Sequence, residues 1–183
     1  IVRTARVFGP AIELRRTISS TLGEPSIRIY DHFTNRGNEP APHAWLLHIN
    51  FGFPLLEPEA STYCYRGRPA PPRPESAEWF RPDHDYRTAP RPLENHRGRG
   101  EFFTYIDPDA DTDGNVVCGL VNRKRGLGVR IEYPKGDYAR LGNWQHWGPA
   151  GSYTGALEPM TGGVEGRPVG QQRGGGMTLE PGE

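Results

Sequence analysis

Residues 43–52, HAWLLHINFG, form one of the most apolar stretches of a chain that is otherwise polar. In an extended strand, successive side chains point to opposite faces, so His48, Asn50 and Gly52 share one face. The opposite, apolar face consists of Trp45, Leu47 and Ile49. This pattern predicts a half-buried β-strand, with a polar row on one side and a packing surface on the other.

The residues before this strand predict a β-hairpin. Apolar and polar residues alternate in AIELRR (11–16) and again in SIRIY (26–30), on either side of a TLGEPS turn at 21–26. Period-two alternation around a turn rich in Gly and Pro is typical of two antiparallel strands.

The rest of the chain also predicts strands, because no helical 3.6-residue stripe of useful length is present. The strand patterns are GEFFTYID (100–107), VVCGLVNR (116–123), GLGVRIEYP (126–134), NWQHW (143–147) and YTGALEP (153–159). A long Pro-rich loop is expected over residues 66–100, since proline has no N–H to donate to a sheet. We therefore predict one all-β domain over residues 1–183, built as an antiparallel β-sandwich.

The amino-acid composition argues against two classes of partner, nucleic acids and membranes. The 183 residues carry 22 Lys and Arg against 22 Asp and Glu, so no basic surface for nucleic acid is expected. No apolar run reaches the length needed to span a membrane, so no membrane partner is expected. The two cysteines, Cys64 and Cys118, form no C-x-x-C pair and indicate reduced thiols in a cytoplasmic protein; a single disulfide is the alternative.

Two segments carry residues suited to chemistry. The His48–Asn50 row fits a ligand with several hydroxyls, whereas a histidine bound to a backbone carbonyl is the structural alternative. Glu158 precedes Pro159 near several aromatic residues, and partial burial would raise the pKa of its carboxyl and make it a better base. The alternative is an exposed glutamate at the end of a strand. Trp144 offers an aromatic face to a sugar ring.

The order HINFG, GRGEFFTYID and YTGALEPMTG resembles the C-terminal half of proteins of the aldose 1-epimerase (galactose mutarotase-like) superfamily. The segments HINFGFPLL (48–56) and ALEPMTG (156–162) are most similar to its uncharacterised branch. This resemblance implies a large twisted β-sandwich that holds a sugar on one sheet. It also implies that the chain is a C-terminal portion, in which the sandwich is incomplete.

The resemblance implies roles for individual residues. His48 lies where mutarotases place the general acid that protonates the ring oxygen, and Glu158 lies where they place the base for the anomeric hydroxyl. Glu101 lies near an aspartate that holds sugar hydroxyls. Geometry adds Asn50 and Trp144 as substrate-binding residues. Ring opening removes a proton from O1 and delivers one to O5, so the acid and the base are expected on opposite sides of the sugar, with no metal or other cofactor.

Two other functions remain open at this point. The same sandwich could hold a monosaccharide or sugar derivative without converting it. Alternatively, a metal-assisted sugar isomerase or lyase could use His43, His48 and Glu101 with His96 or His146, since histidine and carboxylate groups hold divalent metals. The Asp-rich turn DPDADTDGN (107–115) lacks the glutamate and the flanking helices of a calcium loop.

Overall fold

The computed structural model describes residues 1–5, 9–70, 73–163 and 177–183, and nearly all of their regular structure is antiparallel β-sheet. The strands are β1 (Val2–Thr4), β2 (Ile12–Ser19), β3 (Arg28–Asn35), β4 (Ala41–His43), β5 (Ile49–Phe51), β6 (Ser61–Tyr65), β7 (Gly67–Pro69), β8 (Phe102–Pro108), β9 (Asn115–Asn122), β10 (Leu127–Pro134), β11 (Arg140–Trp147), β12 (Tyr153–Met160) and β13 (Met177–Leu179). The predicted all-β class is confirmed. No helix among the described residues is long and apolar enough to cross a membrane.

The chain divides into two compact units. The first contains Ile1–Ala44 and Gly163–Glu183, and the second contains Trp45–Gly162. A single domain over 1–183 stays a prediction.

The first unit contains the predicted hairpin. Strands β2 and β3 pair antiparallel over their whole length, β1 pairs with β2, and β13 pairs with β4. The hairpin buries Glu13 rather than an apolar row, because Arg3 and Arg36 hold its carboxylate. The hydrogen bonds from Arg36 and then Arg3 lower the pKa of Glu13 to about 2. At the far end of the hairpin, Ile18 is 63% exposed.

The second unit is a sandwich of two sheets. A five-stranded sheet has the order β5-β12-β11-β8-β7, and a three-stranded sheet has the order β10-β9-β6. Alternate side chains of the two sheets meet in one apolar core. Its members include Phe51, Tyr63, Ile106, Val116, Leu120, Tyr133, Leu141, Trp147 and Leu157. The other face of the five-stranded sheet carries both apolar residues, such as Phe103 and Met160, and the polar residue Glu158.

The described residues of the Pro-rich segment 66–100 contact the edges of both sheets. Gly67–Pro69 forms the short edge strand β7 beside β8, although the sequence predicted a loop throughout. Two 3₁₀ turns follow, at Pro74–Ser76 and Glu94–His96. The Ser76 hydroxyl accepts a hydrogen bond from the backbone N–H of Phe103 at 3.0 Å. Further along the segment, Arg87 and Ala89 bond to β6 of the other sheet, and Ala89 belongs to the apolar core.

The two cysteines lie on neighbouring strands but on opposite faces. Cys64 is exposed on β6, and Cys118 is buried in the core on β9. Cys118 pairs with Tyr65, the residue after Cys64, and alternate strand residues point away from each other. This arrangement keeps the two sulfur atoms apart.

The strand predicted over residues 44–51 is shorter than expected. Regular pairing covers only Ile49–Phe51, and Leu46 forms an isolated bridge to Met160. Leu47 donates its N–H to the carbonyl of Pro159 at 3.0 Å, but Pro159 has no N–H to return. The partner strand thus interrupts the ladder at this point. The predicted alternation holds, because Ile49 and Phe51 pack on the core while Asn50 is exposed.

Candidate functional site

The sheet register places His48 opposite Glu158. Leu46 pairs with Met160 on one side of the interruption, and Ile49 pairs with Leu157 on the other. Counting inward from either pair brings residue 48 against residue 158. The site therefore begins as a cross-strand pair, in which Pro159 interrupts the backbone hydrogen bonds and leaves the side chains facing each other.

His48 and Glu158 are in direct contact. The imidazole Nε2 lies 2.9 Å from the Glu158 Oε1 atom. The carboxylate side chain is only 3% exposed, whereas the imidazole is 42% exposed and covers it. The resemblance predicted the two groups on opposite sides of a sugar; in the structure no gap separates them.

Burial shifts both groups toward their neutral forms. Desolvation is the largest cause that raises the pKa of Glu158 to about 7, and the charge of Glu101 adds to it, against a smaller opposing effect of Arg73. Desolvation also lowers the pKa of His48, although a hydrogen bond with Asn50 and the charge of Glu101 oppose this. Direct contact at 2.9 Å favours the ion pair instead. The proton can lie on the Glu158 carboxylate or on the His48 imidazole, and these opposing effects bring the two arrangements close in free energy.

Glu101 and Trp144 form the second part of the site. Trp144 Nε1 donates a hydrogen bond to Glu101 Oε2 at 2.7 Å, and Arg73 Nη1 donates to Oε1 at 2.6 Å. These contacts, the Trp144 bond first, lower the pKa of Glu101, so its carboxylate is charged. The Trp144 ring also meets the His48 ring edge-on, with centroids 5.3 Å apart. All four predicted partners of Glu158 therefore lie on one face: His48, Asn50, Glu101 and Trp144.

Gly142 is placed where a larger residue would disturb this face. It pairs with Glu158 on one side and Tyr105 on the other, in the middle of the sheet. A Cβ there would lie 2.7 Å from Met160 Cε and 2.9 Å from Phe103 Cε2. Both of these side chains are almost completely buried, so they fill the space that glycine leaves.

The remaining histidines do not complete a metal site with His48. His43 belongs to the first unit, where its ring packs on Phe33 at 4.3 Å. His96 accepts the N–H of Trp147 through Nδ1, and His146 bonds the carbonyl of Gly100 through Nδ1. Within the described ranges, no group of three or more His, Cys, Asp or Glu side chains could hold a metal ion.

A family model described as "Domain of unknown function (DUF4432)" matches residues 1–183. The chain belongs to this family. No curated protein is similar to it.

The DUF4432 chain is also similar to a solved structure. A putative aldose 1-epimerase from Klebsiella pneumoniae subsp. pneumoniae MGH 78578, known from a crystal structure, superposes with a TM-score of 0.84 at 20% sequence identity. The match covers 99% of this chain and 46% of that protein, so the chain spans less than half of its length. The aldose 1-epimerase fold expected from the sequence motifs is thereby confirmed.

Sequence reasoning missed two residues of this DUF4432 site. Arg73 lies in the Pro-rich segment, where arginine occurs among prolines without any periodicity that marks a contact. Gly142 lies in LGNWQHW, two residues before Trp144. Alternate strand residues share a face, so this spacing could have placed Gly142 on the same face as Trp144. Both residues enter the site only through contacts that are distant in sequence.

Proposed function

We propose that this DUF4432 protein is a sugar isomerase of the aldose 1-epimerase type, which interconverts the anomers of a sugar by acid-base catalysis. The observation that carries the proposal is the His48–Glu158 pair. A free glutamate and a free histidine differ by about two pKa units, which favours the ion pair. Burial at this site acts against that difference, because it raises the pKa of Glu158 to about 7 and lowers the pKa of His48.

The two positions of one proton match the two halves of the reaction. In the ion pair, the Glu158 carboxylate removes the proton from O1 while the His48 imidazolium delivers a proton to O5, and the C1–O5 bond breaks. The open-chain aldehyde then faces a neutral Glu158 and a neutral His48. Rotation about C1–C2 and the reverse proton transfers close the ring as either anomer, so no other acid or base is required.

Direct contact between the acid and the base suits this reaction. O1 and O5 are bonded to the same carbon, so the groups that serve them must themselves be close. Glu158 is almost completely covered in the resting state, so the sugar reaches it when His48 rotates away. His48 lies between the Leu47–Pro159 hydrogen bond and the first residue of β5, and its own backbone is not part of the regular ladder.

The neighbouring residues supply sugar-binding groups. The exposed Glu101 carboxylate accepts hydrogen bonds from hydroxyl groups, Trp144 offers its ring to the C–H face of a sugar, and Asn50 orients His48 through their hydrogen bond. A monosaccharide or sugar derivative is the ligand that this combination fits.

A second function, sugar binding without conversion, is favoured by one observation. The Glu158 side chain is 3% exposed, so a sugar held by Glu101 and Trp144 alone would never meet the base. The two functions differ in whether His48 uncovers Glu158.

Anomer exchange measured by NMR tests the proposal. Purified protein mixed with a panel of aldoses should accelerate interconversion of α and β signals, and Glu158→Gln should lose this acceleration while it still binds sugar. Exchange that survives a chelator but is lost in Glu158→Gln supports the proposal. Binding with no acceleration for any aldose supports the binding function instead, and acceleration that disappears with chelator supports a metal-assisted reaction.

A further inference from the structure

Two arginines lie over neighbouring aromatic rings on the site face. The guanidinium carbon of Arg73 is 4.8 Å from the centroid of Phe103, and that of Arg140 is 5.8 Å from the centroid of Tyr105. The two rings meet edge to face at 4.9 Å. Contact with an aromatic face restrains a guanidinium while it leaves N–H donors at its rim.

The register puts Arg140 near the His48–Glu158 pair. Tyr105 pairs with Gly142, which pairs with Glu158 on its other side. Arg140 precedes Gly142 by two residues on β11, so it lies on the same face and about 7 Å further along the strand. That spacing is comparable to the size of one sugar ring.

The charges on this face do not balance. Glu101 neutralises Arg73, and Glu158 is bound by His48. Among residues 45–70 and 73–162, all of which the structure describes, no carboxylate forms an ion pair with Arg140. Asp107, the nearest acidic residue along β8, is bound by Lys135 at 3.0 Å.

We propose that Arg140 forms a subsite for an anionic substituent, so that the preferred ligand is a sugar bearing a carboxylate or phosphate remote from its anomeric carbon. This inference rests on the proposed function for the position of the anomeric carbon. A guanidinium with free N–H donors binds a carboxylate or a phosphate through two parallel hydrogen bonds. A half-buried, unpaired arginine is thereby neutralised when the ligand binds.

Methyl glycosides test the subsite without any catalysis, because their blocked anomeric oxygen prevents ring opening. Isothermal titration calorimetry at low salt would compare each neutral methyl glycoside of the gluco, galacto and manno series with its uronate and its 6-phosphate. We expect one anionic form to bind about tenfold more tightly than the matched neutral glycoside. The uronate and 6-phosphate arms identify which anion is preferred.

Variants of Arg140 test whether this residue causes the preference for an anionic glycoside. Arg140→Gln should reduce the preference to within about twofold, and Arg140→Lys, which keeps the charge but not the paired donors, should retain part of it. Arg123→Gln, an exposed arginine in the turn after β9, is the matched control and should keep the full preference. Thermal melts of each variant establish that it is folded.

The outcomes separate this inference from the proposed function. Neutral glycosides that bind as tightly as anionic ones, an absence of anionic binding, or a preference that survives in Arg140→Gln would overturn the subsite. An anionic preference with no anomer exchange for any free sugar keeps the subsite and overturns the isomerase. Exchange of neutral aldoses with no anionic preference keeps the isomerase and overturns the subsite.

Discussion

His48 lies directly opposite Glu158 across two strands, and the imidazole Nε2 and carboxylate Oε1 atoms are 2.9 Å apart. The backbone ladder is interrupted at this pair because Pro159 lacks an N–H. A proline beside this carboxylate thus has a structural consequence: it keeps the strand register while it removes one backbone hydrogen bond to the neighbouring strand. The pair is held in place by the fold on both sides, but the His48 backbone is not paired.

The pH dependence of anomer exchange should be bell-shaped. The active pair carries one proton, so a second proton at low pH and its loss at high pH both stop the reaction. The charge of Glu101 raises the pKa of both His48 and Glu158. Glu101→Gln should therefore move both limbs of the kcat/KM profile to lower pH.

The control for this shift is Glu94→Gln, because Glu94 is exposed and pairs only with Arg97 among the described residues. Its profile should match that of the unmodified protein. A Glu101→Gln profile that moves to higher pH, or in which one limb alone moves, would contradict the assignment of the two limbs to the pair.

Glu158→Gln should stabilise the protein above neutral pH. The pKa of Glu158 rises from 4.5 when unfolded to about 7 when folded, so the folded state holds its proton more tightly. Stability from this group is therefore present below about pH 4.5 and is lost as the pH rises to about 7. Removing the charge should add on the order of 1–3 kcal/mol at about pH 8, and little at about pH 4.5.

Urea denaturation at the two pH values measures this difference. Glu75→Gln, at an exposed position in the Pro74–Ser76 turn, serves as the control and should change stability little at either pH. A Glu158→Gln variant that is less stable than the parent at about pH 8 would contradict the prediction. An equal increase in the free energy of unfolding at both pH values would also contradict it.

The alternation in HAWLLHINFG predicted correctly which side chains share a face, because covalent geometry sets that pattern within one strand. The strand length was not predictable from those residues, since the interruption arises from Pro159 on the partner strand. The direct contact of His48 with Glu158 depends on the same register. The strand interruption and the His48–Glu158 contact both depend on two segments that lie more than a hundred residues apart in the sequence.

The β2–β3 hairpin shows again that the sequence pattern of one segment does not predict its contacts with other segments. Alternation identified β2 and β3, but it could not identify Glu13 as the buried member, since burial there depends on Arg3 and Arg36 reaching its carboxylate. Arg73 likewise enters the site from a segment whose composition predicts only a loop. Local patterns predict elements, whereas charge pairs depend on how elements are brought together.

Trp144 should contribute to sugar binding in two separable ways. Trp144→Phe keeps an aromatic face but removes the N–H that donates to Glu101, and it should weaken methyl glycoside binding about threefold to tenfold. Trp144→Ala also removes the ring and should weaken binding further. Calorimetric titration measures both changes.

Trp79→Phe is the matched control, because Trp79 donates its own N–H to Gln145, which lies on the core face of the same strand as Trp144. It removes an indole hydrogen bond without touching the site face, so glycoside affinity should stay within about twofold of the parent. Equal losses in Trp79→Phe and Trp144→Phe would mean that the effect reports packing and not contact with the sugar.

Gly142→Ala should destabilise the second unit and reduce exchange together. The new methyl group would lie 2.7 Å from Met160 Cε and 2.9 Å from Phe103 Cε2, and the Phe103 ring is fixed between β8 and Arg73. Met160 can move its terminal methyl, but the ring has little freedom, so overpacking should cost about 1–3 kcal/mol. Gly136→Ala is the control, since nothing lies within 4 Å of its Cβ. Urea denaturation and NMR exchange would be measured on both variants, and a Gly142→Ala protein as stable and as active as Gly136→Ala would show that the space over Gly142 is not needed for the site.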